Sequence, residues 1–278
     1  MRQELHNSLV TLSVLILLIS SARYGNAQTT EHLTDIEKQA LAGDAYAQVQ
    51  LGTAYATGKG VPFDEVAAAK WFQKAADQGN AAGEYALSEM YSWGHGVMPD
   101  QEEALKWLKR AAEHGDSRGQ YALAVQYLSG VDVPKDEILA AILMRKAADQ
   151  GLAAAEFNLG LMYVHGIGVT KSDTDAAQWY RKAVIQGNIT AMNNLAFLLV
   201  TSSSDTLRDP QEAISLAKRA VKLKPDNPAF QDTLAACYAA LGQFSDAVDA
   251  ENNAVRMSPS KPSYLEALKK YKATAVQH

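Results

Sequence analysis

A single cysteine, Cys237, leaves this chain without an internal disulfide, so its stability has to come from packing. Basic charge is not in excess: 26 lysines and arginines stand against 31 acidic residues, a net charge of −5. That balance excludes a nucleic-acid partner, which needs a concentrated basic face. Aromatic residues are scarce at 8%, while alanine dominates an apolar fraction of 47%; together these favour helices packed closely through small side chains. The histidines form no His-x-x-x-His pair and no cysteine cluster accompanies them, so neither a metal nor another cofactor is expected.

Long apolar runs are also missing, with one exception. Residues Leu9 to Ile19 carry no charge, follow Arg2, and lead to the small residues Gly25-Asn26-Ala27. The run is too short to span a bilayer, so residues 1–27 read as an export signal cleaved after Ala27, with no stable membrane insertion afterwards. The alternative is an uncleaved N-terminal anchor. Removing the segment leaves 24 basic and 30 acidic residues, a net charge of −6, in a periplasmic or secreted protein.

What is present is a repeat. Glycines fall at Gly43, Gly79, Gly115, Gly151 and Gly187, a second series at Gly58, Gly94, Gly130 and Gly166, and a third series reads Trp71, Trp107, Leu143, Trp179. All three have a period of 36 residues, which marks a stacked helical repeat. In each unit the Leu-Gly-x-x-Tyr pattern of Leu51, Gly52 and Tyr55 places a large-small-large set on one face of a first helix. A glycine-rich turn ends that helix. Asp64, Asp100, Asp136 and Ser172 then stand at N-cap positions, and a second helix with inward Ala68, Trp71, Phe72 and Ala75 follows before a Gln-Gly or His-Gly pair closes the unit. In the third copy Gly130-Val131-Asp132 lacks the second glycine, which predicts a slightly altered loop. The Gly-x-Gly turns lie between helices and follow no strand, so they are turns and not a dinucleotide loop.

The recurring Leu-Gly-x-x-Tyr, Gly-x-Gly-Val-Pro-x-Asp and Ala-x-x-Trp-Phe-x-Lys-Ala-Ala resemble the Sel-one-like repeat, a relative of the tetratricopeptide repeat. The resemblance covers four copies over residues 42–186. After Gly187 the spacing shortens to 34, with Ala213, Ala220 and Pro225 recurring as Ala247, Ala254 and Pro259; residues 187–261 therefore resemble two tetratricopeptide-like units, the first with five extra residues around Thr201–Asp209. Residues 28–41 and 262–278 read as capping helices over the open ends. The expected fold is an all-α, right-handed α-solenoid of stacked helix-turn-helix repeats.

Chemistry is thinly represented. Glu102, Glu103 and Asp246 sit early in helices, where they favour the positive end of the dipole. Cys237 reads as a buried thiol without a histidine to activate it. Some cysteine-rich Sel-one-like proteins act on β-lactams, but their helix-pairing cysteines are absent here, and the chain reads as no enzyme.

First helices in such stacks line the inner face. The stripe opposite the Leu-Tyr core positions holds Gln50 in the first copy and Glu89, Met90 and Trp93 in the second. Val125 and Gln126 follow in the third, Asn158, Leu161 and Met162 in the fourth, and Asn194 and Phe197 in the next. Apolar side chains with a few amides and almost no charge suit a groove for a peptide or partner helix; the same residues could instead pack between neighbouring first helices. Family resemblance implies an adaptor, so the expected function is a non-catalytic scaffold that binds another protein or peptide, one of the cell envelope given the export signal. The rivals are a secreted factor acting on a host cell and an enzyme or recogniser of cell-wall material.

Overall fold

The computed structural model describes residues 26–276. The proposed export segment falls outside the described residues, except for Asn26 and Ala27, which begin the first helix. The described residues form fourteen helices and no strand. They group into two compact units, one ending at Gln150 and the other beginning at Gly151.

In the N-terminal unit, α1 (Asn26–Leu41) precedes three helix pairs: α2 (Ala45–Thr57) with α3 (Glu65–Asp77), α4 (Ala81–Trp93) with α5 (Gln101–Glu113), and α6 (Ser117–Ser129) with α7 (Glu137–Asp149). The C-terminal unit holds α8 (Ala153–His165) with α9 (Asp173–Ile185), α10 (Ile189–Thr201) with α11 (Pro210–Leu223), α12 (Pro228–Ala240) with α13 (Phe244–Met257), and the final helix α14 (Pro262–Ala275). Consecutive helices pack on one another within each unit, and each unit is a stretch of right-handed α-solenoid. Among the described residues no helix is long and apolar enough to cross a membrane.

Helix ends are set locally. Asp64, Asp100, Asp136 and Ser172 each accept a hydrogen bond from a backbone N–H in the first turn of a second helix, which satisfies a donor the helix cannot pair internally. Glycines 58, 94, 130 and 166 close the first helices in the left-handed region. The third copy's loop is slightly altered, as expected: the Val131 N–H donates to the Ser129 hydroxyl, whereas its counterparts at Lys59, His95 and Ile167 donate to a carbonyl of the first helix. Asp132 adopts φ 59° at the place where Gly60, Gly96 and Gly168 have φ between 65° and 81°, and aspartate is among the few side chains that tolerate this conformation.

The small residue of the Leu-Gly motif does what its size suggests. A Cβ on Gly52 would stand 2.8 Å from the Phe72 ring, and one on Gly160 would stand 2.6 Å from the Tyr180 ring. Where the residue twenty positions on is not aromatic, the small partner grows: Ser88 pairs in register with Leu108, and Ala124 with Met144. Volume is conserved within each pair, as a close-packed interior requires.

A polar bond accompanies this packing in four repeats. Gln78 donates to Gln48, His114 meets Glu84, Gln150 donates to Gln120, and Gln186 donates to Glu156, each at 2.8 Å. The first-helix member is buried in every case. Gln48 and Gln120 also donate to the carbonyls of Ala40 and Ala112. A glutamate cannot donate there, and in the second repeat Arg110 takes over, with Nε 2.9 Å from Glu84 and Nη2 3.4 Å from the Ala76 carbonyl.

At the N-terminal end, Ile36 and Ala40 of α1 cover Ala47 and Leu51. The eight-residue loop 202–209 exceeds the three-residue turn 241–243 by the expected five. It is tied down by buried Leu207 and by Ser202, which donates to Asp173 at 2.7 Å. One core assignment needs correction: Trp107 and Trp179 are buried, but Trp71 is only half-buried, with the Lys74 ammonium 4.0 Å from its ring centre.

Candidate functional site

The first helices of the N-terminal unit, α2, α4 and α6, start at equivalent N-caps. Asp44, Asn80 and Asp116 bind the amides of Ala47, Gly83 and Gly119 at 2.7 to 3.1 Å. With starts and ends fixed, residues 36 apart present the same angle. Trp93 stands 62% exposed, and Gln50, Glu89, Val125 and Gln126 are half-buried. Met90 departs from the expectation. It is 7% exposed and packs with Ala68, Phe72, Leu87 and Trp107, because its angle on α4 points between the open face and the second helices. Gln126 occupies the equivalent place, and its Oε1 is buried with no hydrogen-bond partner among the described residues.

Two residues outside the sequence-derived stripe belong to this face. Tyr85 lies one turn before Glu89, and the Arg118 guanidinium of α6 stands 4.6 Å from the centre of its ring, a cation–π distance. Arg118 also grips Asp116 with Nε 3.1 Å from one oxygen and Nη2 2.6 Å from the other. Burial, and next the nearby Glu89, hold the Tyr85 phenol above its usual range. Burial likewise raises the Glu89 carboxyl, against the pull of Arg118 and His95. The recurrence of Tyr85 and Tyr121 at the 36-residue period, with Val49 and Phe157 in the same row, was the sequence signal for this edge of the face.

In the C-terminal unit, α8 and α10 present Phe197 at 45% exposure, with Leu161 and Asn194 half-buried. Asn194 is engaged with the Tyr180 hydroxyl. Asn158 and Met162 are corrected: they are 7% and 2% exposed, and the Asn158 amide donates to the Ala154 carbonyl one turn back. A side chain closed off by its own helix and core is not available for direct contact. Neighbouring Asn193 is also buried, and its Oδ1 accepts no hydrogen bond among the described residues.

Elsewhere the titratable groups have structural explanations. Glu102, Glu103 and Asp246 lie in first turns. His95 faces Glu65 at 2.9 Å. Cys237 is fully buried, and burial pushes its thiol up to about 12, which removes the thiolate a nucleophile needs. Among the described residues no group of three His, Cys, Asp or Glu side chains is placed to hold a metal.

Comparison with known proteins agrees with this architecture. The Sel1 repeat matches residues 45–80, 81–116, 117–152, 153–188 and 189–224, and a tetratricopeptide repeat matches 207–270. The two matches overlap at α11. The fifth Sel1 match falls where the spacing had suggested the first tetratricopeptide-like unit. No curated protein matches the chain. Among solved structures, the chain is similar to c5321, a protective antigen of uropathogenic Escherichia coli strains with an SLR fold (TM-score 0.66, 25% identity), over 89% of this chain and 56% of that one. It thus spans little more than half of that protein. It is similar to a Sel1 repeat protein from Oxalobacter formigenes (TM-score 0.65, 28% identity) over 82% and 94% of the two chains. The fold likeness extends to YrrB, a TPR protein with an unusual peptide-binding site (TM-score 0.53, 18% identity), over 72% and 99%.

Proposed function

The chain belongs to the Sel1 repeat family, whose repeats serve as protein-interaction scaffolds, and we propose that it acts without catalysis, binding a protein or peptide of the cell envelope on the exposed face of its first helices. The observation that carries this reading is Trp93, a tryptophan left 62% exposed beside the half-buried Tyr85, Glu89 and Val125. Tryptophan is costly to leave in water and is enriched among the residues that dominate binding energy. Phe197, 45% exposed on α10, gives the C-terminal unit a similar anchor. The envelope location rests on residues 1–27, whose short uncharged run and small-residue end suit export. The antigenic role of the Escherichia coli relative is consistent with such a location.

The test is site-specific photo-crosslinking in the organism that makes the protein. A photoreactive residue in place of Trp93 or Phe197 should give discrete partner adducts. The same residue in place of Lys146 or Lys182, exposed on the second helices α7 and α9, should give none. Adducts confined to the second-helix positions would overturn the assignment of the face.

A further inference from the structure

The row Thr53, Glu89, Val125 on the first helices of the N-terminal unit carries one charge, and Glu89 makes no hydrogen bond or ion pair among the described residues. Two basic side chains lie near enough to influence it, but both are engaged elsewhere. Arg118 holds both oxygens of Asp116 and stands over Tyr85. His95 Nδ1 lies 2.9 Å from Glu65. Glu89 is half-buried, so its carboxylate is partly stripped of water with nothing bonded in return, a state that costs free energy until a cation arrives. Burial outweighs the pull of Arg118 and His95 on its titration, which agrees with this geometry.

The neighbours of that carboxylate are aromatic. Tyr85 and Trp93 lie four residues before and after Glu89 on α4, a spacing that places all three along one stripe. A carboxylate between two aromatic side chains, one of them 62% exposed, complements a cation on an apolar stem. The charge meets the carboxylate, the methylenes lie against the rings, and the indole face adds a cation–π contribution. An acidic or phosphorylated segment would meet like charge instead. We propose that the N-terminal unit takes a lysine or arginine side chain of its partner peptide at Glu89, with the stem packed on Trp93. The proposal rests on the first-helix face being the binding face, and adds the chemistry of its occupant.

The test is to pan a random-peptide display library against the immobilised protein, then repeat with Glu89→Gln and with a face-blocking variant, Thr53→Arg with Val125→Arg. Selected peptides should align on one lysine or arginine flanked by apolar residues. Synthetic copies should weaken by about tenfold or more when Glu89 becomes Gln or the peptide cation becomes norleucine, and binding should fall as salt rises. A charge swap, Glu89→Lys with the peptide lysine changed to glutamate, should restore affinity, which guards against misreading a folding defect. Peptides without a common cation, lost in the face-blocking variant but untouched by Glu89→Gln, would overturn the cation assignment alone. No enrichment, or peptides indifferent to every face substitution, would overturn the binding face with it.

Discussion

The most informative perturbation lies far from the face, at Glu251. Four residues after their inward alanines, earlier second helices place Phe72, Leu108, Met144 and Tyr180 in the core. Counted the same way from Ala247, α13 places Glu251, which is fully buried, with both carboxyl oxygens unpaired among the described residues except for the contact with Asp232. Burial, reinforced by Asp232, pushes its pKa from 4.5 up to about 8. Burial raises Asp232 too, against the pull of Lys261, and burial lifts the Tyr271 phenol from α14 to about 12, with Glu251 and Asp232 adding to it. The folded protein therefore holds a proton that the unfolded chain releases. Its contribution to stability is complete below pH 4.5, declines as pH rises, and is lost once pH passes about 8. Each pH unit in that window costs about 1.4 kcal/mol, or about 3 kcal/mol by pH 7. Glu251→Gln keeps the shape and a donor for Asp232 but cannot ionise. It should protect α12–α14 against hydrogen exchange more than the natural residue does at pH 8, with the gap closing near pH 4.5. End repeats open locally, so exchange in these helices is a better readout than a global melt. Parallel pH profiles for the two proteins, or weaker protection in the Gln variant at pH 8, would refute the reasoning.

Gly160→Ala should destabilise by about 1–3 kcal/mol in urea titration because the new methyl meets a buried ring; adding Tyr180→Met should recover most of the loss, since Ala124 and Met144 already pair this way. Trp107→Ala should cost about 3–5 kcal/mol in the same assay, and Trp93→Ala less than about 1 kcal/mol, because the first ring is 5% exposed and the second 62%. Arg110→Met should cost about 3–5 kcal/mol by stranding part of the Glu84 charge, whereas Glu84→Gln combined with His114→Gln, which copies the Gln48–Gln78 bond, should leave the melting temperature almost unchanged.

What the sequence made legible was local or periodic. N-caps, left-handed glycines and the Gly52 and Gly160 approaches each depend on a few residues and recur every 36. Which first-helix side chains stay exposed was legible to within one angular position of a helix. Spacings of three and four residues place Met90 and Trp93 on the same side of α4, but second-helix side chains cover the first and leave the second open. Asn158 and Met162 were misplaced too: both are buried, and the Asn158 amide is tied to the Ala154 carbonyl of its own helix. Periodicity gives an angle within a helix, while exposure depends on how far the next element reaches around it. The Tyr85–Arg118–Asp116 arrangement was illegible for a related reason: its first contact joins two helices, and the bidentate grip of Arg118 depends on which way a long side chain turns.

The separation between what holds the repeats and what they display follows from the buried polar bonds. From repeat to repeat the pair changes from Gln48–Gln78 to Glu84–His114, Gln120–Gln150 and Glu156–Gln186, yet every bond spans 2.8 Å. An unpaired buried amide or carboxylate costs more than a made bond contributes, so a sliding of one helix along the other is penalised whichever chemistry is used. Apolar contacts between alanine-rich helices are too uniform to do this alone, because shifting by one turn would again set alanine against alanine. With register fixed by bonds that do not line the open face, the row Thr53, Glu89, Val125 is free to differ in every repeat without loss of fold. That freedom allows a single carboxylate, Glu89, to stand among neutral neighbours on the first helices of the N-terminal unit.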